Sequence, residues 1–178
     1  MTLAEFENSE NKRLTLLGMS GVGKTHLAKL LCADDRWYHY SGDYRIGTKY
    51  LNQAILENIK AQIKQDKWLK GLLENQSISV ENHITFDNLH SVSSFLGKVG
   101  NPQQGGLELA EFTHRQALHR EAEIQAMLDV PEFIKTTEHN FINDAGGSLC
   151  ELDDEKVYKT LADHSLILYI RASETNES

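Results

Sequence analysis

The chain has 178 residues, 40% hydrophobic and 25% charged, with a formal net charge of −8. This is enough for one domain with a sizeable core, while the acidity argues against a general polyanion-binding surface and against nucleic acid as a partner. Two distant cysteines (Cys32 and Cys150), an acidic N-terminus, and no apolar run near the roughly 18 residues that span a bilayer predict a cytoplasmic protein with no membrane partner.

Leu14–Leu17 is a short apolar run ending at glycine and predicts a buried strand, followed by a helix over Lys24–Cys32. Trp37–Tyr40, bounded by Ser41-Gly42, predicts a second strand. Leu51, Ile55, Ile59 and Ile63 recur at helical spacing. Gly97–Gly106 reads as a loop, and a long helix is expected from Glu108 to about Met127. Phe141–Asn143 predicts a third strand running into Asp144-Ala145-Gly146-Gly147. Asp154–Ala162 predicts a helix with Asp153 as its N-cap, and Ser165–Arg171 is the clearest strand. Strands alternating with helices imply βαβ units and a parallel sheet. The expectation is one domain over 1–178 with a P-loop three-layer α/β/α fold. About 100 residues separate the second and third strands, far more than a crossover needs. Residues 48–138 therefore read as a large helical insertion.

Residues 18–25 read G-M-S-G-V-G-K-T, a full match to G-x-x-x-x-G-K-[ST]. Successive backbone N–H groups must turn inward to wrap phosphate oxygens, and glycine permits the sharp turns. Gly18, Ser20, Gly21, Val22 and Gly23 would form the cradle. Lys24 would bring a compact cation to the β- and γ-phosphates, and Thr25 a hydroxyl to Mg²⁺. The following helix directs its positive end at the anion. A nucleoside triphosphate with Mg²⁺ is the ligand this pattern implies.

A phosphate loop works with an acid that helps hold Mg²⁺ from the end of a neighbouring strand. Asp144 is the candidate; the competing reading is a turn aspartate before two glycines. The D-A-G-G run resembles the glycine-containing switch of GTP-hydrolysing proteins, but the chain has no N-K-x-D guanine-reading motif, which favours ATP. After the second strand, S-G-D-Y-R places Asp43 two residues before Arg45. An acid and an arginine there resemble the pattern of P-loop small-molecule kinases: shikimate-kinase-like enzymes, nucleoside-monophosphate kinases and zeta-toxin-like kinases. The resemblance implies that Asp43 orients or deprotonates an acceptor hydroxyl and that Arg45 binds a substrate anion or the transferring phosphoryl group. A surface turn with a local Asp–Arg pair is the alternative.

The run from G-M-S-G-V-G-K-T through W-Y-H-Y-S-G-D-Y-R-I-G-T-K-Y-L, with F-I-N-D-A-G-G-S-L-C-E-L later, is similar over most of the chain to bacterial proteins called simply P-loop ATPases. The kinase resemblance implies arginines that close over the phosphates. Arg115 and Arg120 are candidates, set against ordinary helical ion pairs with Glu111 and Glu123. It also implies an arginine-bearing lid helix and a last strand after Leu166–Ile170. Here the polar run Ser173–Ser178 follows instead, so the sheet is expected to be incomplete at its C-terminal side. Either the chain is a truncated form of a longer protein or a partner completes the site, and an exposed sheet edge favours a homo-oligomer. Two functions follow. One is an ATP-dependent, kinase-like phosphotransferase acting on an unidentified small-molecule acceptor. The other is a regulatory ATPase or nucleotide-dependent switch acting on a protein partner.

Overall fold

A computed structural model describes residues 1–171; the polar run Ser173–Ser178 lies outside the described residues. The elements in chain order are α1 (Leu3–Asn8), β1 (Arg13–Leu17), α2 (Lys24–Leu31), β2 (Trp37–Ser41), α3 (Gly42–Arg45), α4 (Asn52–Ile63), α5 (Lys67–Glu74), α6 (His90–Leu96), α7 (Leu109–Thr136), β3 (Asn140–Asp144), α8 (Glu155–His164) and β4 (Leu166–Tyr169). The chain divides into two compact units. One comprises Met1–Asp43 with the described part of Glu123–Ser178, the other Tyr44–Ala122.

The first unit is an α/β structure around a four-stranded, all-parallel sheet in the order β2-β3-β1-β4. All strands point the same way, so the loops after β1, β2 and β3 leave from one edge. Leu16 of β1 and Ser41 of β2 both pair with Asp144 of β3. One face of the sheet carries Leu14, Leu16 and Ile142, which pack on Ala28 of α2 with Leu27, Leu31 and Trp37 around them. The other face carries Tyr38, Tyr40 and Phe141, whose rings meet Phe133 of α7 or each other at 5.0–6.1 Å between centroids. The Tyr40 hydroxyl donates to the Ala126 carbonyl at 2.5 Å. Helices thus cover both faces, an arrangement compatible with three layers. Each fully buried Leu, Ile or Phe contributes about 1.5–3 kcal/mol, and β1 buries every residue after Arg13.

Three boundaries depart from expectation. The long helix continues past Met127 to Thr136, with Pro131 inside it. Proline removes one helix hydrogen bond and costs about 3 kcal/mol. Met127, Val130 and Ile134, spaced along one face and almost wholly buried, offset that cost. The N-cap of α8 is Asp154 rather than Asp153. Asp153 takes a left-handed φ of +48°, while the Asp154 carboxylate accepts from the Val157 N–H at 3.0 Å. The last strand is shorter than Ser165–Arg171 because Ser165 ends α8, its N–H and hydroxyl both donating to the Leu161 carbonyl at 2.9 Å.

The second unit is helical. Arg45 ends α3, and Ile46–Tyr50 widens into a π-helical turn closed by the Leu51 N–H on the Ile46 carbonyl at 2.8 Å. Its core gathers Ile46, Leu51, Ile55, Val92 and Phe95. Arg115 is buried with them. Its guanidinium donates to Glu111 at 2.6 Å and to the Phe95 carbonyl at 2.5 Å, and lies 4.7 Å from the centre of the Phe95 ring. Among the described residues no helix is long and apolar enough to cross a membrane.

Candidate functional site at the edge of the parallel sheet

The loop after β1 is shaped by glycine. Gly18 has a φ of +146°, and a Cβ there would sit 2.4 Å from the Ile170 carbonyl oxygen. That close approach is fixed by the Ile170 N–H, which donates to the Leu17 carbonyl at 2.7 Å. Gly23, at φ +97° and ψ +13°, is the left-handed residue immediately before α2 and has no side chain with which to cap the helix. The first N–H groups of α2 therefore remain available to an anion arriving from the cavity.

Lys24 opens α2 and is 93% buried, with 7% of its surface exposed. Its ammonium donates to the Gly18 carbonyl at 2.7 Å and the Met19 carbonyl at 2.9 Å. An ammonium has three N–H donors, so the lysine holds the loop in shape while one donor remains for a ligand. Thr25 is exposed at the start of the helix.

A cavity of about 220 Å³ opens above this loop. Ser20, Gly21, Gly23, Lys24, Thr25 and His26 line it from the β1 side, and Asp43, Asp144, Ala145 and Gly147 from the ends of β2 and β3. The fold thus brings together five of the side chains singled out in the sequence: Ser20, Lys24, Thr25, Asp43 and Asp144. Gly18 and Val22 are not on the cavity wall: the Gly18 carbonyl holds the lysine, and Val22 packs back over Gly18. Arg45 belongs to the second unit. Arg115 is taken up by Glu111 and Phe95 within that unit.

The two carboxylates differ in environment. Asp144 is nearly buried, and His39 Nε2 lies 3.7 Å from its Oδ2. Asp43 keeps an exposed surface because it faces the open cavity, yet the protein packed around it thins its hydration. Its carboxyl is pushed above the ordinary range, first by burial and then by the charge of Asp144, with Lys24 acting in the opposite direction. Gly146 lies between Asp43 and a third acid. A Cβ on it would come 2.9 Å from Asp43 Oδ1 and 3.2 Å from Glu123 Oε1.

Glu123 was not legible as part of this neighbourhood. Its position three residues after Arg120 reads as one more surface charge on a helix, but it is only 2% exposed. Nor did the sequence signal a buried polar chain beneath the loop. Ser165 donates to the Leu161 carbonyl, so the Thr15 hydroxyl must donate to Ser165 Oγ, at 2.6 Å, and accept from Asn143 Nδ2, at 3.4 Å. That chain ties β3 and β1 to Ser165, the residue between α8 and β4.

No protein-family model, no curated protein and no solved structure matches the chain, so the site's own chemistry carries the functional argument. A cradle of backbone donors, one buried ammonium, one hydroxyl and two carboxylates suits a phosphate chain with a hard cation. No group of three or more His, Cys, Asp or Glu gathers among the described residues. A Mg²⁺ held by one or two protein oxygens together with phosphate oxygens and waters needs none.

Proposed function

We propose that the chain binds Mg·ATP at Gly18–Thr25 and acts as a kinase-like phosphotransferase on a hydroxyl-bearing small molecule. The observation that carries this reading is the convergence of Lys24, Thr25, Asp43 and Asp144 on one cavity, although they are spread over more than a hundred residues of sequence. The parallel register supports it, because it sets the ends of β1, β2 and β3 side by side, where open α/β sheets bind their ligands. In this reading Thr25 and Asp144 hold Mg²⁺, which would neutralise charge on the phosphate oxygens. Lys24 and the first N–H groups of α2 bind those oxygens. Asp43 takes the proton of the acceptor hydroxyl as its oxygen bonds to the γ-phosphorus and the bond to the bridging oxygen of ADP breaks. Its raised carboxyl suits that role, since a stronger base takes a hydroxyl proton more readily. P-loop ATPases and small-molecule kinases are the groups to which this reading assigns the chain.

One contact favours a second reading. A Cβ on Gly147 would lie 2.9 Å from the Ser20 N–H nitrogen, so the segment after β3 leans on the phosphate loop and would feel a ligand settling there. Such a contact suits a regulatory ATPase that reports its nucleotide to a protein partner.

Calorimetry with Mg·ATP tests the binding. Lys24→Ala is expected to weaken it about 100-fold, and equal binding by both proteins would overturn the reading. Labelled ATP offered with a panel of hydroxyl acceptors then separates the two functions. Transfer that disappears in Asp43→Asn supports the kinase. Hydrolysis without transfer, together with nucleotide-dependent protection of 48–138 from proteolysis, supports the switch.

A further inference from the structure

The second unit contains a larger cavity, of about 390 Å³, that shares no residue with the phosphate loop. Pockets that take small organic ligands begin at roughly 300 Å³, so this one can accept more than an inorganic ion. Lys60 of α4 and Lys64, the residue that caps its C-terminus, border it, with Leu73 of α5 and the segment Ile78-Ser79-Val80. The two lysines stand one helical turn apart at the C-terminal end of α4, where their mutual repulsion opposes their attraction to the helix dipole.

Three acids along this stretch have partners other than these lysines. Glu57 accepts from Gln53 at 2.6 Å. Asp66 caps α5, accepting from the Trp68 and Leu69 N–H groups at 2.9 Å. Glu74, also on the cavity wall, lies 3.8 Å from Lys70. Among the described residues neither Lys60 nor Lys64 has an ion-pair partner, although Lys60 is half-buried. The backbone N–H groups of Ser79 and Val80 make no protein hydrogen bond among the described residues and are open to solvent or a ligand. Lys60 and Lys64 thus share one cavity lining with the apolar Leu73, Ile78 and Val80.

We propose that this cavity binds a small amphiphilic anion: an alkyl chain seated on Leu73, Ile78 and Val80 with a carboxylate or phosphate head between Lys60 and Lys64. The charge balance selects an anion, because the one carboxylate on the wall already has a lysine beside it. The apolar wall selects a tail, because water gains nothing from wetting it.

Calorimetry on the whole chain, with octanoate and octyl phosphate below their micellar concentrations, tests the site. At least one is expected to bind, and the tighter of the two names the head group. Octanol, which lacks the charge, and acetate and inorganic phosphate, which lack the tail, are expected to bind at least about tenfold more weakly. The double variant Lys60→Gln, Lys64→Gln should weaken the alkyl anion by about tenfold or more. Relief of the like-charge pair offsets the lost attraction to the C-terminal end of α4, so the melting temperature should hold within a few degrees and lost binding is not lost folding. Lys24→Ala should leave the affinity unchanged, which separates this site from the ATP reading. Failure of both alkyl anions to bind, equal binding of octanol, or unchanged affinity in the double lysine variant would overturn the proposal.

Discussion

In the first unit the cavity is lined by backbone, two carboxylates and one lysine that is itself held by backbone carbonyls; in the second, Lys60 of α4 and the adjacent Lys64 share a cavity with apolar side chains. The difference lies in where the conformational cost is met. Around Gly18–Thr25 the loop is fixed before any ligand arrives, by left-handed glycines, by the contact with Ile170 and by Lys24 gripping the Gly18 and Met19 carbonyls. A preorganised site loses little entropy on binding and suits a group that must be placed for reaction. Lys60 and Lys64 end long rotatable chains, whose ordering on binding costs about 0.5–1.5 kcal/mol each. Such a site tolerates variation in its ligand and suits binding rather than chemistry.

This contrast can be broken by substitution. The largest effect is expected under the preorganised site. Phe141 is wholly buried among Tyr38, Tyr40 and the sheet, and Phe141→Ala should cost about 3–5 kcal/mol in a denaturant titration. A loss below about 1 kcal/mol would mean that the sheet does not rigidly support the loop. Next is Arg115→Met in the second unit. It removes the donor to the Phe95 carbonyl while Glu111 stays in contact with water, so about 1–3 kcal/mol is expected. No loss would make Arg115 a spare cation rather than a structural one, and would return it to consideration as a phosphate-closing arginine.

The smallest effect has the opposite sign. The Asp43 carboxyl is raised above its unfolded value by burial and by Asp144. A raised acid destabilises the folded state where it is ionised, above its folded pKa. That penalty fades as pH falls through the folded value and is gone below the ordinary carboxylate range. Asp43→Asn should therefore raise the melting temperature of the ligand-free protein near pH 8 and leave it unchanged near pH 3. A lower melting temperature at both pH values would show that Asp43 supports the fold instead of being held against it. Activity that depends on Asp43 as a base should rise with pH through the same raised value.

The elements of the first unit were legible because their signals are strong and local. Leu14–Leu17 is an apolar run that stops at glycine, and the Asp154 side chain lies one residue from the predicted cap. The exceptions share a cause. The long helix was expected to end near Met127, yet Met127, Val130 and Ile134 bury one face of α7 and carry the helix on through Pro131. Glu123 reads as a surface charge, yet that same helix presses it beside Gly146.

Arg45 and Asp43 are two residues apart and look like a pair in the sequence, but Asp43 lines the cavity above Gly18–Thr25 in one unit and Arg45 belongs to the other. The sequence alone determined the shape of the loop at Gly18–Thr25, because that shape is set by neighbours: glycines where the backbone turns left-handed, a lysine that bonds back five and six residues, and a helix that follows at once. Which acids face that loop was decided by tertiary structure. Strand order and register bring Asp43 and Asp144 to it, and those follow from how buried faces pack across the whole sheet. The same is true of the α4–α5 cavity, whose lysines are unremarkable in the sequence and acquire meaning from the acids that the fold has engaged elsewhere.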